Sequence, residues 1–234
     1  MEVNQIDINL KDNLKIVEEN IENSLRKVGR NDKVQLIAVT KTQELESVRN
    51  LLDLGIKNIG ENKVQDLLKR VEELGDITNY HMIGHLQSNK VKDIISYTTL
   101  LHSLDRVSLA KELNKRARME NKTIDILIQV NVAEEKSKFG FMVKEVLPFI
   151  EQILDYENIR IKGLMTMAPY TEDEVLLRNV FKSMVKLKED ISKRNYNNIS
   201  MDYLSMGMTN DYEIAIEEGS NMVRVGTGIF GYRN

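Results

Sequence analysis

Lys41 closes the run Val34-Gln35-Leu36-Ile37-Ala38-Val39-Thr40-Lys41. The run is apolar enough for a buried strand, and turn formers precede it at Gly29-Arg30-Asn31-Asp32. A lysine at the carboxyl end of such a strand sits in a partly desolvated mouth. There its amine is placed to attack a carbonyl. Taken alone, the local sequence fits a lysine that only snorkels at a strand end. Residues elsewhere shift that balance.

Those residues need a scaffold. Ile6, Leu10, Leu14, Val17, Ile21 and Leu25 recur at helical spacing, so the chain opens on an amphipathic helix. Short apolar runs follow at 34–40, 56–60, 80–84, 100–104, 124–131, 159–167, 203–207 and 222–229. Helical patterns lie between them at about 44–54, 63–74, 88–96, 106–120, 142–156, 173–193 and 211–218. Asp105 stands before one helix, and Thr171-Glu172-Asp173-Glu174 opens another with negative charge. Strands alternating with helices imply parallel pairing and right-handed crossovers. Eight such units predict an α/β fold, a single (β/α)8 TIM barrel with an additional N-terminal helix. A doubly wound open sheet is the alternative. No linker or low-complexity stretch divides the chain, so 1–234 reads as one domain.

Barrels of this kind build their sites from loops at the carboxyl ends of the strands. Here those ends carry Lys41, Gly60-Glu61-Asn62, the run from Ile83 to Lys90, Gly163-Leu164-Met165-Thr166-Met167, Ser205-Met206-Gly207-Met208-Thr209 and Arg224-Val225-Gly226-Thr227-Gly228. The last two runs fall where barrels often bind phosphate. Gly226 lets backbone N–H groups approach an anion, and Thr227 and Ser205 add hydroxyls. Singly, each glycine fits an ordinary strand-end turn. Jointly they set an anion cradle opposite an amine. An amine for an aldehyde, a cradle for a phosphate and Arg224 for a ring nitrogen suggest pyridoxal 5′-phosphate. Arginine donates and does not accept a proton, so a ring nitrogen facing it stays unprotonated and is a poor electron sink. A structural ion pair in the barrel is the competing reading of Arg224.

With these residues in place, the chain resembles the pyridoxal phosphate homeostasis protein family, whose members resemble the N-terminal barrel domain of alanine racemase. The resemblance rests on LIAVTK (36–41), NIGENKVQD (58–66), HMIGHLQSNKVK (81–92), HSLDR (102–106), QVNVAEEKSKFGF (129–141), IKGLMTMAP (161–169) and LSMGMTNDYEIAIEEGSNMVRVGTGIFG (204–231). It implies that Lys41 is the cofactor lysine, bound as a Schiff base, and that Arg224 is the ring-nitrogen partner. It implies phosphate binding by Ser205, Gly226 and Thr227. Asn62 would line the ring, and Met165 and Met206 the pocket. The implied role is cofactor homeostasis: binding, buffering and delivery of the active vitamin B6 form, with apo pyridoxal phosphate enzymes as recipients. Efficient catalysis is not expected. A racemase of this barrel type takes its second acid/base, a tyrosine, from a separate β-domain. This chain ends at Asn234, three residues after Gly231. A weak pyridoxal phosphate-dependent amino-acid racemase is one alternative. A phosphate-binding barrel enzyme with Lys41 as an aldolase-type amine is another.

Composition bounds the partners. A net charge of -3 and 41% hydrophobic residues describe an ordinary globular chain, with neither nucleic acid nor membrane as main partner. Cysteine is absent, which removes disulfides and thiolate chemistry. The acidic, polar start at Met1 is no signal peptide, so a cytoplasmic location is expected, and without the second domain that builds the racemase-type dimer interface a monomer is expected. Gly226-Thr227-Gly228-Ile229-Phe230-Gly231 matches a dinucleotide fingerprint but leaves no room for the helix it requires. His81 and His85 stand four apart, yet the apolar run around them favours a strand end over a zinc-binding helix.

Overall fold

The computed structural model describes residues 5–135 and 138–231, with side chains from residue 9 onward. Lys136, Ser137 and Asn234, and the side chain of Ile6, lie outside the described residues. The strands are β1 (Gln35–Val39), β2 (Asn58–Glu61), β3 (Asn79–Met82), β4 (Thr98–Leu104), β5 (Ile124–Gln129), β6 (Ile159–Met165), β7 (Ile199–Ser205) and β8 (Met222–Val225). The helices are α1 (Gln5–Lys27), α2 (Leu45–Asp53), α3 (Val64–Leu74), α4 (Val91–Ile94), α5 (Val107–Met119), α6 (Val143–Gln152), α7 (Glu174–Ser192), α8 (Tyr212–Glu217) and α9 (Thr227–Phe230). The strands pair in parallel in chain order and close into a barrel through β8 and β1, which excludes the open sheet. No helix among the described residues is long and apolar enough to cross a membrane.

Strand periodicity divides the core in two. Outward side chains such as Tyr80, Met82, Leu101, Leu104, Leu164 and Leu204 pack under the helices. Inward ones, Ile37, Leu100, Leu127, Met165 and Met222, fill the barrel itself. The buried stripe of α1 (Leu10, Leu14, Val17, Ile21) covers Ala38, Val223, Val225 and Ile229, behind the seam where β1 meets β8. Gly207, two residues past β7, takes φ +97, and a Cβ there would lie 2.7 Å from the Ala215 Cβ. Only glycine lets α8 pack so near.

Some local expectations shift. The pattern at 88–96 is a 3-10 turn, Ser88–Lys90, followed by the single turn of α4. Asp105 does not cap α5; its carboxylate is held by His85 Nδ1 at 2.7 Å and Arg106 Nη1 at 2.5 Å. Asp173 does cap α7, accepting from the N–H groups of Val175 and Leu176. The run 222–229 is strand only to Val225, because the chain turns at Gly226 into α9.

The barrel interior is not wholly apolar. The Asn79 Nδ2 donates to Asn58 Oδ1 at 3.0 Å, and His81 Nε2 lies 3.2 Å from that same oxygen. His81 Nδ1 is 3.0 Å from His102 Nε2, and His102 Nδ1 is 2.9 Å from Ser205 Oγ. Both imidazoles are buried, and burial holds them neutral. His81 is brought down to about 4 and His102 well below its ordinary value, the latter also by its neighbours His81 and Arg224.

Neutral burial has a pH signature. The folded value of His81 lies below the unfolded 6.5, so its contribution is complete above 6.5 and is lost as pH falls toward 4. The shift corresponds to about 3 kcal/mol. Urea unfolding at pH 7 and pH 4.5 should show the loss. In His81→Asn, which does not titrate, the loss should shrink by roughly that amount.

Candidate functional site

A cavity of about 430 Å³ opens at the carboxyl ends of β1, β6, β7 and β8. Lys41, Arg224, Gly226 and Thr227 all line it. Arg224 is only 3% exposed. Its Nη1 donates to the Ser205 carbonyl at 2.8 Å and to Ser205 Oγ at 2.6 Å, and its Nη2 to the Thr166 carbonyl at 2.9 Å. All three acceptors are neutral. Burial lowers Arg224 to about 10, against the field of Asp211. The Asp211 carboxylate is itself committed to the Met208 N–H at 2.6 Å. Burial raises Asp211 above the usual carboxylate range, although the Met208 N–H and Arg224 oppose that. A buried cation without a contacting carboxylate is costly, and an anionic or acceptor-bearing ligand would offset the cost. A wider hollow of about 640 Å³, lined by His85, Arg106 and Lys138, lacks this feature. There Arg106 pairs with Asp105 and Lys138 with Glu135.

The cradle lies where β8 turns into α9. A Cβ on Gly226 would meet the Val39 Cβ at 3.3 Å and its carbonyl oxygen at 3.4 Å, so the glycine keeps the turn close against β1. The Thr227 N–H has no intrahelical acceptor at the first turn of a helix. The Gly228 N–H is taken by Thr209 Oγ1 at 3.2 Å. The residues present fit a phosphate: free amide character, two threonine hydroxyls and no carboxylate in the turn.

Lys41 sits in a tight turn. The Gln43 N–H donates to the Thr40 carbonyl at 3.0 Å, and Thr42 takes φ +64, a left-handed conformation uncommon for a β-branched residue. The turn is tied down on both flanks. Thr40 Oγ1 donates to Glu61 Oε1 at 2.6 Å. Arg70 lies 3.5 Å from the same oxygen and donates to the Gln43 carbonyl. Glu61 is 1% exposed with its Oε2 unpartnered, so desolvation raises it although Thr40 and Arg70 oppose this. Lys41 itself is exposed, not partly desolvated as the strand-end argument expects. The turn leaves it in the wall of the cavity, open to solvent.

The other expected residues fall outside the cavity wall. Ser205 points into the barrel, fully buried beneath Arg224. Met206, one residue on, points the other way into the layer under the helices. Met165 belongs to the interior apolar cluster. Asn62 is half-buried beside Gly84 and does not line the cavity. Thr209, four residues beyond Ser205 in the same run, also lines the cavity, and its Oγ1 accepts the Gly228 N–H. The sequence signals that stretch but not which hydroxyl turns outward. Asp211 and the 168–171 loop also line the cavity and were not read from the sequence.

Comparison with known proteins assigns the family. Residues 13–234 match the model of the alanine racemase N-terminal domain. The pyridoxal phosphate homeostasis protein of Aquifex aeolicus is 40% identical over 228 residues, covering 97% of this chain and 99% of that protein. The chain belongs to the pyridoxal phosphate homeostasis protein family. A crystal structure of an unknown protein from Bifidobacterium adolescentis superposes with a TM-score of 0.91 at 30% identity, covering 98% of this chain and 97% of that one. PipY of Synechococcus elongatus, solved with PLP bound, gives 0.79 at 27% identity, covering 90% of this chain and 100% of that one.

The clamp on the Lys41 turn is testable. Arg70→Met leaves Glu61 buried without its counter-charge and should destabilise the chain by about 3–5 kcal/mol in denaturant unfolding. The double variant Arg70→Met/Glu61→Gln should recover a large part of that loss.

Proposed function

We propose that the chain binds pyridoxal 5′-phosphate in the 430 Å³ cavity and serves in its homeostasis, holding the cofactor and releasing it to apo enzymes that use it. The observation that carries this reading is Arg224, a buried cation matched only by neutral acceptors and facing a cavity with an amine at its mouth. In this reading Lys41 takes the aldehyde carbon, Arg224 faces the ring nitrogen, and Gly226, Thr227 and Thr209 surround the phosphate. Ser205 acts one step back, as the support of Arg224. Bound there, the cofactor supplies a reactive aldehyde and an aromatic ring. The protein supplies orientation and a donor that keeps the ring nitrogen unprotonated. The names of the full-length relatives and the PLP-bound structure of PipY support the same ligand.

The test is the visible absorption spectrum of the purified chain titrated with pyridoxal phosphate, followed by borohydride reduction and peptide mapping. A band above 400 nm (about, by ordinary imine chemistry) and a reduced adduct on Lys41 are expected, and Lys41→Ala should lose both. Arg224→Gln should keep the band and weaken binding about tenfold. Mixing loaded protein with an apo enzyme should restore that enzyme's activity faster than the cofactor leaves into buffer. No band and no adduct would overturn the reading. Stereo-inversion of amino acids by the loaded protein would replace the carrier role with a racemase.

A further inference from the structure

We propose that His81 and His102 are positioning residues for Arg224, acting through Ser205 as a one-way hydrogen-bonded column across the barrel interior. The inference rests on reading the cavity as the cofactor site. The column runs Asn58, His81, His102, Ser205, Arg224, with links of 3.2, 3.0, 2.9 and 2.6 Å.

Its direction is fixed from both ends. At one end the Asn58 Oδ1, already accepting from Asn79, is an acceptor, so His81 Nε2 carries the proton. A neutral His81 then accepts at Nδ1, so His102 Nε2 donates. A neutral His102 accepts at Nδ1, so the Ser205 hydroxyl donates to it. At the other end Arg224 only donates, so Ser205 Oγ must accept there. Every hydrogen in the column points away from Arg224.

This arrangement orients a cation without cancelling it. A carboxylate in place of Ser205 would hold the guanidinium and also neutralise it. The hydroxyl and imidazoles hold it and leave its charge for the ligand. Three N–H contacts go to Ser205 and Thr166, which leaves the Nε–H and one Nη2–H without a protein acceptor among the described residues. Reversing the column would turn the Ser205 hydrogen toward an Arg224 N–H, so loss of the His102 acceptor disturbs the guanidinium directly.

Two measurements test this. The first is ¹⁵N NMR of the imidazoles in the chain without added cofactor. Both rings should be neutral Nε2–H tautomers at pH 6; an Nδ1–H tautomer on His102 or a charged ring overturns the column. The second is cofactor affinity in folded variants. His102→Leu removes the acceptor and should weaken binding about tenfold, whereas His102→Asn keeps an acceptor at the place of Nδ1 and should restore most of it. Ser205→Ala should match His102→Leu if that variant fails to fold. Unchanged affinity in His102→Leu, or no rescue by His102→Asn, overturns the proposal. Absence of any cofactor band in the parent chain defeats the cofactor reading alone, and the NMR result then still decides the column.

Discussion

The site depends on one constraint, a guanidinium held inside a barrel with only neutral acceptors among the described residues. Arg224 faces inward on β8, and its register partner on β1 is Ile37. Its acceptors come from neighbouring strand ends: the Ser205 carbonyl on β7 and the Thr166 carbonyl just past β6. The Ser205 carbonyl also accepts the Thr166 N–H at 3.1 Å, so there the cation shares a second lone pair of a paired backbone oxygen, whereas at Thr166 it takes a carbonyl just past the strand end. The same strand ends lead into the Met208–Asp211 stretch and the 168–171 loop, which wall the cavity. Burying the cation and building the cavity are therefore one act of folding.

That act occurs at the seam where the barrel closes. Ala38 pairs with Val225, and beyond that pair the two strands diverge into the Lys41 turn and the Gly226 turn. The amine and the cradle thus come from opposite ends of the chain and meet only after closure. Helix α1 braces the seam from outside: its apolar stripe lies on β8 and α9, and Asn13 Nδ2 donates to the Ile229 carbonyl at 3.1 Å. A leading helix that caps no barrel mouth still has a purpose here. It seals the junction that carries the chemistry.

The sequence carried the architecture because alternation of apolar runs and helical patterns has physical cause, and eight alternations allow few topologies. Of the residues that strand-end logic singles out, Lys41, Arg224, Gly226 and Thr227 line one cavity. That logic does not show which way successive side chains turn, because one step along a strand reverses them. Ser205 and Met206 are adjacent, yet one enters the barrel and the other the outer layer. The strand-end argument takes 205–209 as one run, and the structure adds that Thr209 lines the cavity while Ser205 supports Arg224. The spacing of four draws attention to His81 and His85 as a metal pair on a helix, an alternative that the apolar run around them disfavours. Only the pairing of β3 with β4 brings His81 to His102, and linear sequence does not display that neighbour. His85 instead leaves the barrel and stacks on Phe139 with ring centroids 3.9 Å apart.

The exposure of Lys41 bears on what such a site does best. Carbanion chemistry favours a closed site, where water is excluded and fixed charges act at low dielectric. Here Lys41 is an exposed residue of the cavity wall, and Tyr170 at the rim is 94% exposed. The strong, preorganised part of the site is its floor, with Arg224 locked by buried contacts. Lys41, the residue that would hold the aldehyde, is open to water. The strain stored at Thr42 and its tie to Glu61 and Arg70 fix where the amine stands without enclosing it. A rigid floor gives affinity and a wet amine gives exchange, and the two together suit a protein that binds its ligand reversibly and yields it.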